Sequence, residues 1–232
     1  LNQELTAIQV ENLTDFVERP CNGEPSAYIT GRREFYGLDF KVDSRVLIPR
    51  PETELLVEKA IEYYRRFDYH SVADIGTGSG CIVVTLAKNL SGAAIYASDS
   101  SLPALEVAKE NSIAHGVESH IIFVCGDLLE PLYKPVDLIV ANLPYVKTVE
   151  ITSKFEPEIA LNGGPEGLDK ISELCSQLKG KLKPGGALLL EIGQGQADAV
   201  IHDLYTAYPK AVIDVFRDLA GIERVVSMRL TA

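Results

Sequence analysis

Apolar and polar positions change rhythm near Tyr69, and the change divides the chain in two. Up to residue 20 the apolar side chains Leu5, Ile8, Val10, Leu13, Phe16 and Val17 recur at helical spacing. That predicts a helix pair, or the end of one helix, stopped by Pro20. The polar run 21–26 predicts a loop, and residues 27–48 alternate apolar and polar around glycines, which predicts a β-hairpin. Pro49 and Pro51 then interrupt the chain, and 51–67 has the amphipathic spacing of a helix. Pro51 suits a first helical position, because the missing N–H has no intrahelical partner there. Glu52 and Glu54 put negative charge at the positive end of the helix dipole.

Beyond Tyr69 short apolar runs alternate with amphipathic ones. Strands are predicted at 72–76, 93–98, 121–127, 136–142, 187–193, 211–218 and 223–230, and helices at 80–90, 102–116, 169–182 and 195–208. Such alternation implies a parallel sheet with helices on both faces, since parallel neighbours need a crossover long enough to hold a helix. There are no internal repeats and no low-complexity segment.

With 232 residues, 46% hydrophobic and 24% charged, the chain has ordinary globular composition and suits one α/β domain with a small appendage. The net charge of −11 repels a phosphate backbone and argues against generic nucleic-acid coating. Cys21, Cys81, Cys125 and Cys175 form no CxxC pair, and Cys81, Cys125 and Cys175 read as small buried hydrophobes in a reducing compartment. No apolar run approaches the ~20 residues that span a bilayer. The opening LNQELTAIQV lacks a basic, cleavable leader, so a cytoplasmic location is expected. The chain opens on Leu1 and not on Met, which leads to the expectation that residues precede it.

The candidate chemistry lies at the ends of the predicted strands. The first runs into Asp74-Ile75-Gly76-Thr77-Gly78-Ser79-Gly80 and then at once into a helix. Glycines there allow a sharp turn and a close approach to a ligand. No phosphate-binding lysine follows Gly80, so this is not a P-loop. Asp99 ends the second strand, where a carboxylate can accept from both hydroxyls of a ribose, and Asp127 follows the third, placed for an exocyclic amine of adenine. The bland alternatives are a bare strand-to-helix turn for the glycines and a helix N-cap for Asp99. The order of strand, glycine loop, helix, strand and acid favours a ligand.

The fourth strand ends in Asn142-Leu143-Pro144-Tyr145. A side-chain amide oxygen and a neighbouring backbone carbonyl can together accept two N–H groups from one planar NH₂, and the Tyr145 ring can cover the same group. An ordinary turn would also use Asn and Pro. Arg50, Glu52 and Glu156 read as structural ion-pair or loop residues, and the four histidines show no metal spacing.

These elements together resemble one family. The runs GRREFYGLDFKVDSRVLIPRPETELLVEKAI, ADIGTGSGCIVVTLAK, ASDSSLPALEVAKEN, VDLIVANLPYV, FEPEIAL and KPGGALLLEIGQGQ are similar to the HemK/PrmC family, S-adenosylmethionine-dependent methyltransferases of the glutamine in the Gly-Gly-Gln tip of peptide-chain release factors. The resemblance implies an α/β, class I methyltransferase-like (Rossmann-like) fold: a seven-stranded, mostly parallel sheet with helices on both faces. A β-hairpin and the remnant of a helical N-terminal domain precede it. The implied division is 1–27 for that remnant, which would help recognise substrate, 28–50 for a hairpin linker and 51–232 for the methyltransferase domain. By resemblance Gly76, Thr77, Gly78, Ser79 and Gly80 line the methionine part of S-adenosylmethionine, and Asp99 holds its ribose. Asp127 and Leu128 flank the adenine, Phe35 helps enclose the cofactor, and Asn142, Leu143, Pro144 and Tyr145 grip the substrate glutamine. Where the family motif reads Asn-Pro-Pro-Tyr, Leu143 replaces the first proline; it keeps the backbone carbonyl and loses the fixed φ.

The residues support the same chemistry. An amide nitrogen is a poor nucleophile because its lone pair is delocalised into the carbonyl. Hydrogen bonds to Asn142 Oδ1 and the Leu143 carbonyl would orient the NH₂ toward the sulfonium methyl and stabilise the positive charge that grows on nitrogen. No metal is needed, and the product is S-adenosylhomocysteine. The expected partner is a release factor, with no membrane and no nucleic-acid substrate. Two alternatives remain at this level: an adenine-amine methyltransferase on DNA or RNA, and a non-catalytic cofactor-binding module.

Overall fold

The structure, a computed structural model, describes residue 6 and residues 16–231. Of the helix pair expected over 1–20, residues 1–5 and 7–15 lie outside the described residues. Residues 16–21 are helical, and Arg19 there grips Glu24 through two hydrogen bonds of 2.7 and 2.6 Å.

The hairpin is shorter than its alternation suggests. Ser26–Thr30 is a helix (α1), and only Arg32–Phe35 (β1) and Leu38–Lys41 (β2) pair, antiparallel, around Tyr36-Gly37. Pro25 and Gly31 bracket α1, which buries Ala27 and Tyr28 on one face, and the Tyr28 hydroxyl donates to the Val46 carbonyl at 2.6 Å. Tertiary burial therefore overrides the strand preference of Tyr28 and Ile29. Phe35 and Phe40 pack edge to face, 6.1 Å apart, in the same core cluster as the following helices.

A single 3-10 turn at Pro51–Thr53 leads into α2, Glu54–Arg66. There follow β3 (Ser71–Ile75), α3 (Cys81–Asn89), β4 (Ala94–Asp99), α4 (Leu102–Ala114), β5 (Ile121–Cys125) and β6 (Val136–Ala141). The chain closes with α5 (Asp169–Gln177), β7 (Leu182–Glu191), α6 (Ala197–Ala207), β8 (Val212–Arg217) and β9 (Glu223–Arg229). The helix expected to run to residue 182 stops at Gln177, and β7 begins at Leu182, with Pro184-Gly185-Gly186 inside it. Its register on β6 jumps from Val136↔Leu182 to Leu138↔Ala187. The extra residues bulge out, so Pro184 needs no ladder partner.

The seven-stranded sheet has the order β5-β4-β3-β6-β7-β9-β8, and β9 runs antiparallel to both neighbours. Alternate strand residues separate two cores. Val72, Leu138, Val140, Ala187 and Leu189 face α2 and α3, and Ala73, Ile75, Ile139, Ala141, Leu188 and Leu190 face α5 and α6. No helix among the described residues is long and apolar enough to cross a membrane.

At the amino-terminal edge, Asp137 Oδ2 accepts from the His70 and Ser71 N–H groups, the Ser71 hydroxyl and Lys183 Nζ, at 2.6–3.1 Å. Burial opposes its ionisation, but Lys183 and Ser71 outweigh burial and hold the carboxyl below its usual range. That cluster ties β3, β6 and β7 together. Strand order reverses between β3 and β6, so a crevice opens at their carboxyl ends.

Candidate active site

A cavity of about 350 Å³ occupies that crevice. Gly76, Thr77, Gly78 and Ser79 form its floor after β3, Asp99 stands at the end of β4, and Asp127 and Leu128 follow β5. Asn142, Leu143 and Pro144 close it from the end of β6.

The loop is anchored by its own backbone. The Gly76 and Thr77 N–H groups both donate to the Ser98 carbonyl at 2.9 Å, and the Thr77 hydroxyl donates to Asp74 Oδ2 at 2.7 Å. The Gly78 N–H donates to Asp99 Oδ2 at 2.8 Å and the Ser101 N–H to Asp99 Oδ1 at 2.9 Å. Ser101, not Asp99, caps α4, its hydroxyl accepting from the Ala104 N–H at 3.2 Å. Each Asp99 oxygen accepts one of these bonds and retains further acceptor capacity. Burial raises the Asp99 pKa against the two backbone donors. Asp127 lies 3.7 Å from Lys170 Nζ, and both line the cavity.

Three expected site residues are not on the wall. Gly80 has φ +80°, and a Cβ there would lie 2.9 Å from Ala108 Cβ and 3.0 Å from Ala108 Cα. Its lack of a side chain serves the close crossing of α3 and α4, not the cavity. Phe35 is 1% exposed, belongs to the core beneath the hairpin and does not line the cavity. Tyr145 turns away from the cavity, with its hydroxyl donating to Glu191 Oε1 at 3.1 Å. Burial and the adjacent Glu191 raise the Tyr145 pKa.

Asn142 donates from Nδ2 to Thr53 Oγ1 at 3.2 Å. Its Oδ1 has no partner among the described residues and is not sealed from solvent. No donor among the described residues takes the Leu143 carbonyl. The Leu143 side chain is buried over Gly76, filling space that a glycine-loop side chain would need.

Several supports of this segment escaped sequence reasoning. The Val146 N–H donates to the Leu161 carbonyl, and the Gly163 N–H donates back to Val146, at 3.0 and 2.9 Å. Gln196 Nε2 donates to the carbonyls of Tyr145 (3.0 Å) and Gly167 (3.1 Å), while its Oε1 accepts from the Gly193 N–H at 2.8 Å. Arg50 Nη2 contacts both Glu156 oxygens at 2.8 Å, the structural pairing expected of these residues.

Among the described residues two carboxyls are buried near the site, Asp74 under the loop and Glu191 at the end of β7, and each has one oxygen without a partner there. Burial lifts Asp74 to about 7 against the Thr77 hydrogen bond. Burial lifts Glu191 to about 7 against Thr53 and Tyr145. Both ionise near 4 in the unfolded chain, so between about pH 4 and 7 the folded state holds more protons. Stability contributed by these protons is present at low pH and is lost as pH rises through about 7. Urea unfolding of the ligand-free protein should show a loss on the order of a few kcal/mol from pH 5.5 to 8. A flat profile would contradict the burial of these acids.

The Methyltransferase small domain family matches residues 51–197. The release factor glutamine methyltransferase of Bradyrhizobium diazoefficiens is 40% identical, over 97% of this chain and 79% of the relative. That of Koribacter versatilis is 43% identical, over 97% and 81%. The chain belongs to the release factor glutamine methyltransferase family. The crystal structure of the release factor-specific protein-(glutamine-N5) methyltransferase of Alicyclobacillus acidocaldarius is 29% identical, with a TM-score of 0.52, covering 83% of this chain and all of that one. The ribosomal protein L11 methylase of Lactobacillus delbrueckii, 24% identical with a TM-score of 0.60 over 81% of this chain and 82% of that one, shares the fold.

Methyltransferase membership implies S-adenosylmethionine as methyl donor. The residues present fit it. The unsaturated acceptors of Asp99 suit a ribose diol, and the glycine floor and the buried Leu128 offer apolar surface. Charge-assisted hydrogen bonds are worth about 1.5–3 kcal/mol each. Asp99→Asn should therefore weaken S-adenosylhomocysteine binding by about tenfold to a hundredfold in calorimetry. An unchanged Kd would remove Asp99 from the cofactor site.

Proposed function

We propose that this methyltransferase methylates the side-chain amide nitrogen of the glutamine in the Gly-Gly-Gln motif of peptide-chain release factors, in the cytoplasm. The observation that carries the reading is the polarity of Asn142. With Nδ2 committed to Thr53, its Oδ1 is the atom left for a substrate, beside a Leu143 carbonyl that no donor among the described residues takes. Two acceptors at the carboxyl end of β6 match the two N–H groups of one carboxamide. They suit a glutamine side chain, and they offer nothing to a carboxylate or a second acceptor.

Bound S-adenosylmethionine supplies an electrophilic methyl group. Asn142 and Leu143 hold the substrate NH₂ in one orientation, and positioning of this kind lowers a barrier by up to ~7–11 kcal/mol in the best intramolecular cases. As the nitrogen bonds to carbon it becomes positive, and both acceptors then hold it more strongly than in the ground state. The proton leaves after the charge has formed, so no strong base is required. Within this reading residues 51–232 are the methyltransferase domain and 28–50 join it to the preceding segment.

Incubation with S-adenosylmethionine and a release factor, followed by mass spectrometry of the Gly-Gly-Gln peptide, should show one added methyl on the glutamine. Methylation of a parallel DNA or RNA sample, with the peptide unmodified, would replace the reading by an adenine-amine activity. Cofactor binding with neither product would make the chain a non-catalytic module.

A further inference from the structure

The backbone of the clamp is pinned at its two ends. Ala141 is the last residue of β6, paired with Leu190, and Val146 is fixed on the far side by its bonds with Leu161 and Gly163. The four residues between them carry both acceptors. Leu143, the second of the four, lacks the ring that would set its φ. Among the described residues one side chain hydrogen-bonds the backbone of this stretch: Gln196 Nε2 donates to the Tyr145 carbonyl at 3.0 Å.

Gln196 is built into three segments at once. It is 8% exposed and stands just before α6, where its own N–H donates to the Gly193 carbonyl at 3.2 Å and its carbonyl accepts from the Val200 N–H at 3.1 Å. Nε2 also donates to the Gly167 carbonyl at 3.1 Å, in the turn before α5. Oε1 accepts from the Gly193 N–H at 2.8 Å, after β7, and that N–H fixes which end of the amide is oxygen. Two carbonyls and one N–H call for two donors and one acceptor, which is what a carboxamide offers. Glycines leave the room for it. A Cβ on Gly167 would lie 2.7 Å from Nε2, and one on Gly193 would lie 2.9 Å from Oε1. On the clamp itself, a Cβ on Gly163 would lie 2.6 Å from the Pro144 carbonyl oxygen. Gln196 does not line the cavity.

We propose that Gln196 is a positioning residue for methyl transfer: it braces Tyr145 and thereby aims the Leu143 carbonyl and Asn142 Oδ1 at one substrate NH₂. The inference rests on the reading of Asn142 and Leu143 as the substrate clamp. Pro144 passes the constraint along, because its ring fixes the one φ that lies between the Leu143 carbonyl and the braced residue. Without the brace two buried carbonyls lose their donor, the Tyr145 peptide is free to rotate, and the Leu143 carbonyl swings with it. Methyl transfer tolerates little of this, since a misplacement of about 1 Å can cost about a hundredfold in rate. The cofactor loop is held separately, by the Ser98 carbonyl and Asp99, so cofactor affinity does not depend on Gln196. A role confined to stability predicts a different result: a folded variant, assayed well below its Tm, would methylate as wild type does.

The test compares wild type with Gln196→Glu and Gln196→Met. Ionised glutamate keeps the shape and removes both donors, and methionine keeps the length and removes the acceptor as well. In either variant, assayed well below its Tm, kcat on a release factor should fall on the order of tenfold to a hundredfold, while the KM for release factor and the Kd for S-adenosylhomocysteine hold. In wild type, ¹⁵N-edited NMR should show both Nε2 hydrogens of Gln196 exchanging with solvent far more slowly than those of the exposed Gln194. Exchange as fast as at Gln194 overturns the proposal, whether or not the variants fold. Wild-type kcat in either folded variant also overturns it, as does a loss that falls equally on cofactor affinity. If wild type fails to methylate a release factor, the reading of the clamp falls, and the exchange measurement still decides whether Gln196 holds Tyr145.

Discussion

Asn142→Ala is expected to lower kcat for release-factor methylation by about a thousandfold, the scale of losing a key electrostatic contact together with orientation. Affinity for S-adenosylhomocysteine should stay close to wild type. The substitution removes Oδ1, which has no partner among the described residues, and it leaves the glycine loop and Asp99 untouched. Thr53 loses the one hydrogen bond that it accepts from Asn142, a loss that concerns stability more than cofactor affinity. Asn142→Asp is not expected to rescue activity. It restores an acceptor, but it removes the N–H that anchors the side chain to Thr53 and sets a second carboxylate near Glu191. Single-turnover methylation followed by mass spectrometry measures the effect. A kcat within about tenfold of wild type would show that the amide is positioned by something else.

Gly167→Ala is the second large effect. Gly167 has φ +75°, and an added Cβ would lie 2.3 Å from the Tyr145 carbonyl oxygen and 2.7 Å from Gln196 Nε2. That carbonyl cannot withdraw freely, because Gln196 holds it at 3.0 Å from one side while also binding the Gly167 carbonyl. The left-handed backbone costs an alanine about 1–2 kcal/mol and the overpacking about 1–3 more. At a total near 3 kcal/mol, Tm should fall by roughly 6–12 °C in a protein of this size. The strain falls on Tyr145, three residues from Asn142, so kcat should drop with it. A melting curve and kcat both matching wild type would mean that the Gly167 loop is free to move away from the clamp.

Much of this was legible along the chain. The strand, glycine loop, helix and acid around Asp74–Asp99 follow one another locally, and each step has a short-range cause: apolar strand residues, glycines at a sharp turn, an amphipathic helix. The Asn142-Leu143-Pro144-Tyr145 element could be placed at the same sheet edge because parallel strands all end there. Local pattern failed where tertiary contact outweighed it. Residues 27–30, read as part of an alternating hairpin, fold within α1, and Pro184-Gly185-Gly186, which looks like the end of a helix, is a bulge within β7.

The chain by itself determined the fold class and pointed to the glycine loop, Asp99 and Asn142 as candidate site residues, since these depend on residue types and on local spacing at the ends of strands. Only the tertiary structure decided that Gly80 packs helices and that Phe35 lies in the core, and it alone placed Gln196 on Tyr145. It alone joined Thr53 to Asn142, 89 residues apart, and Tyr145 to Glu191, 46 residues apart. One sign of the last pairing was visible in advance, an acid ending the apolar run of LLLEIG, because a buried carboxyl needs partners. Which partners it finds depends on sheet register and on the helix laid across it, and those are set by the packing of the whole domain.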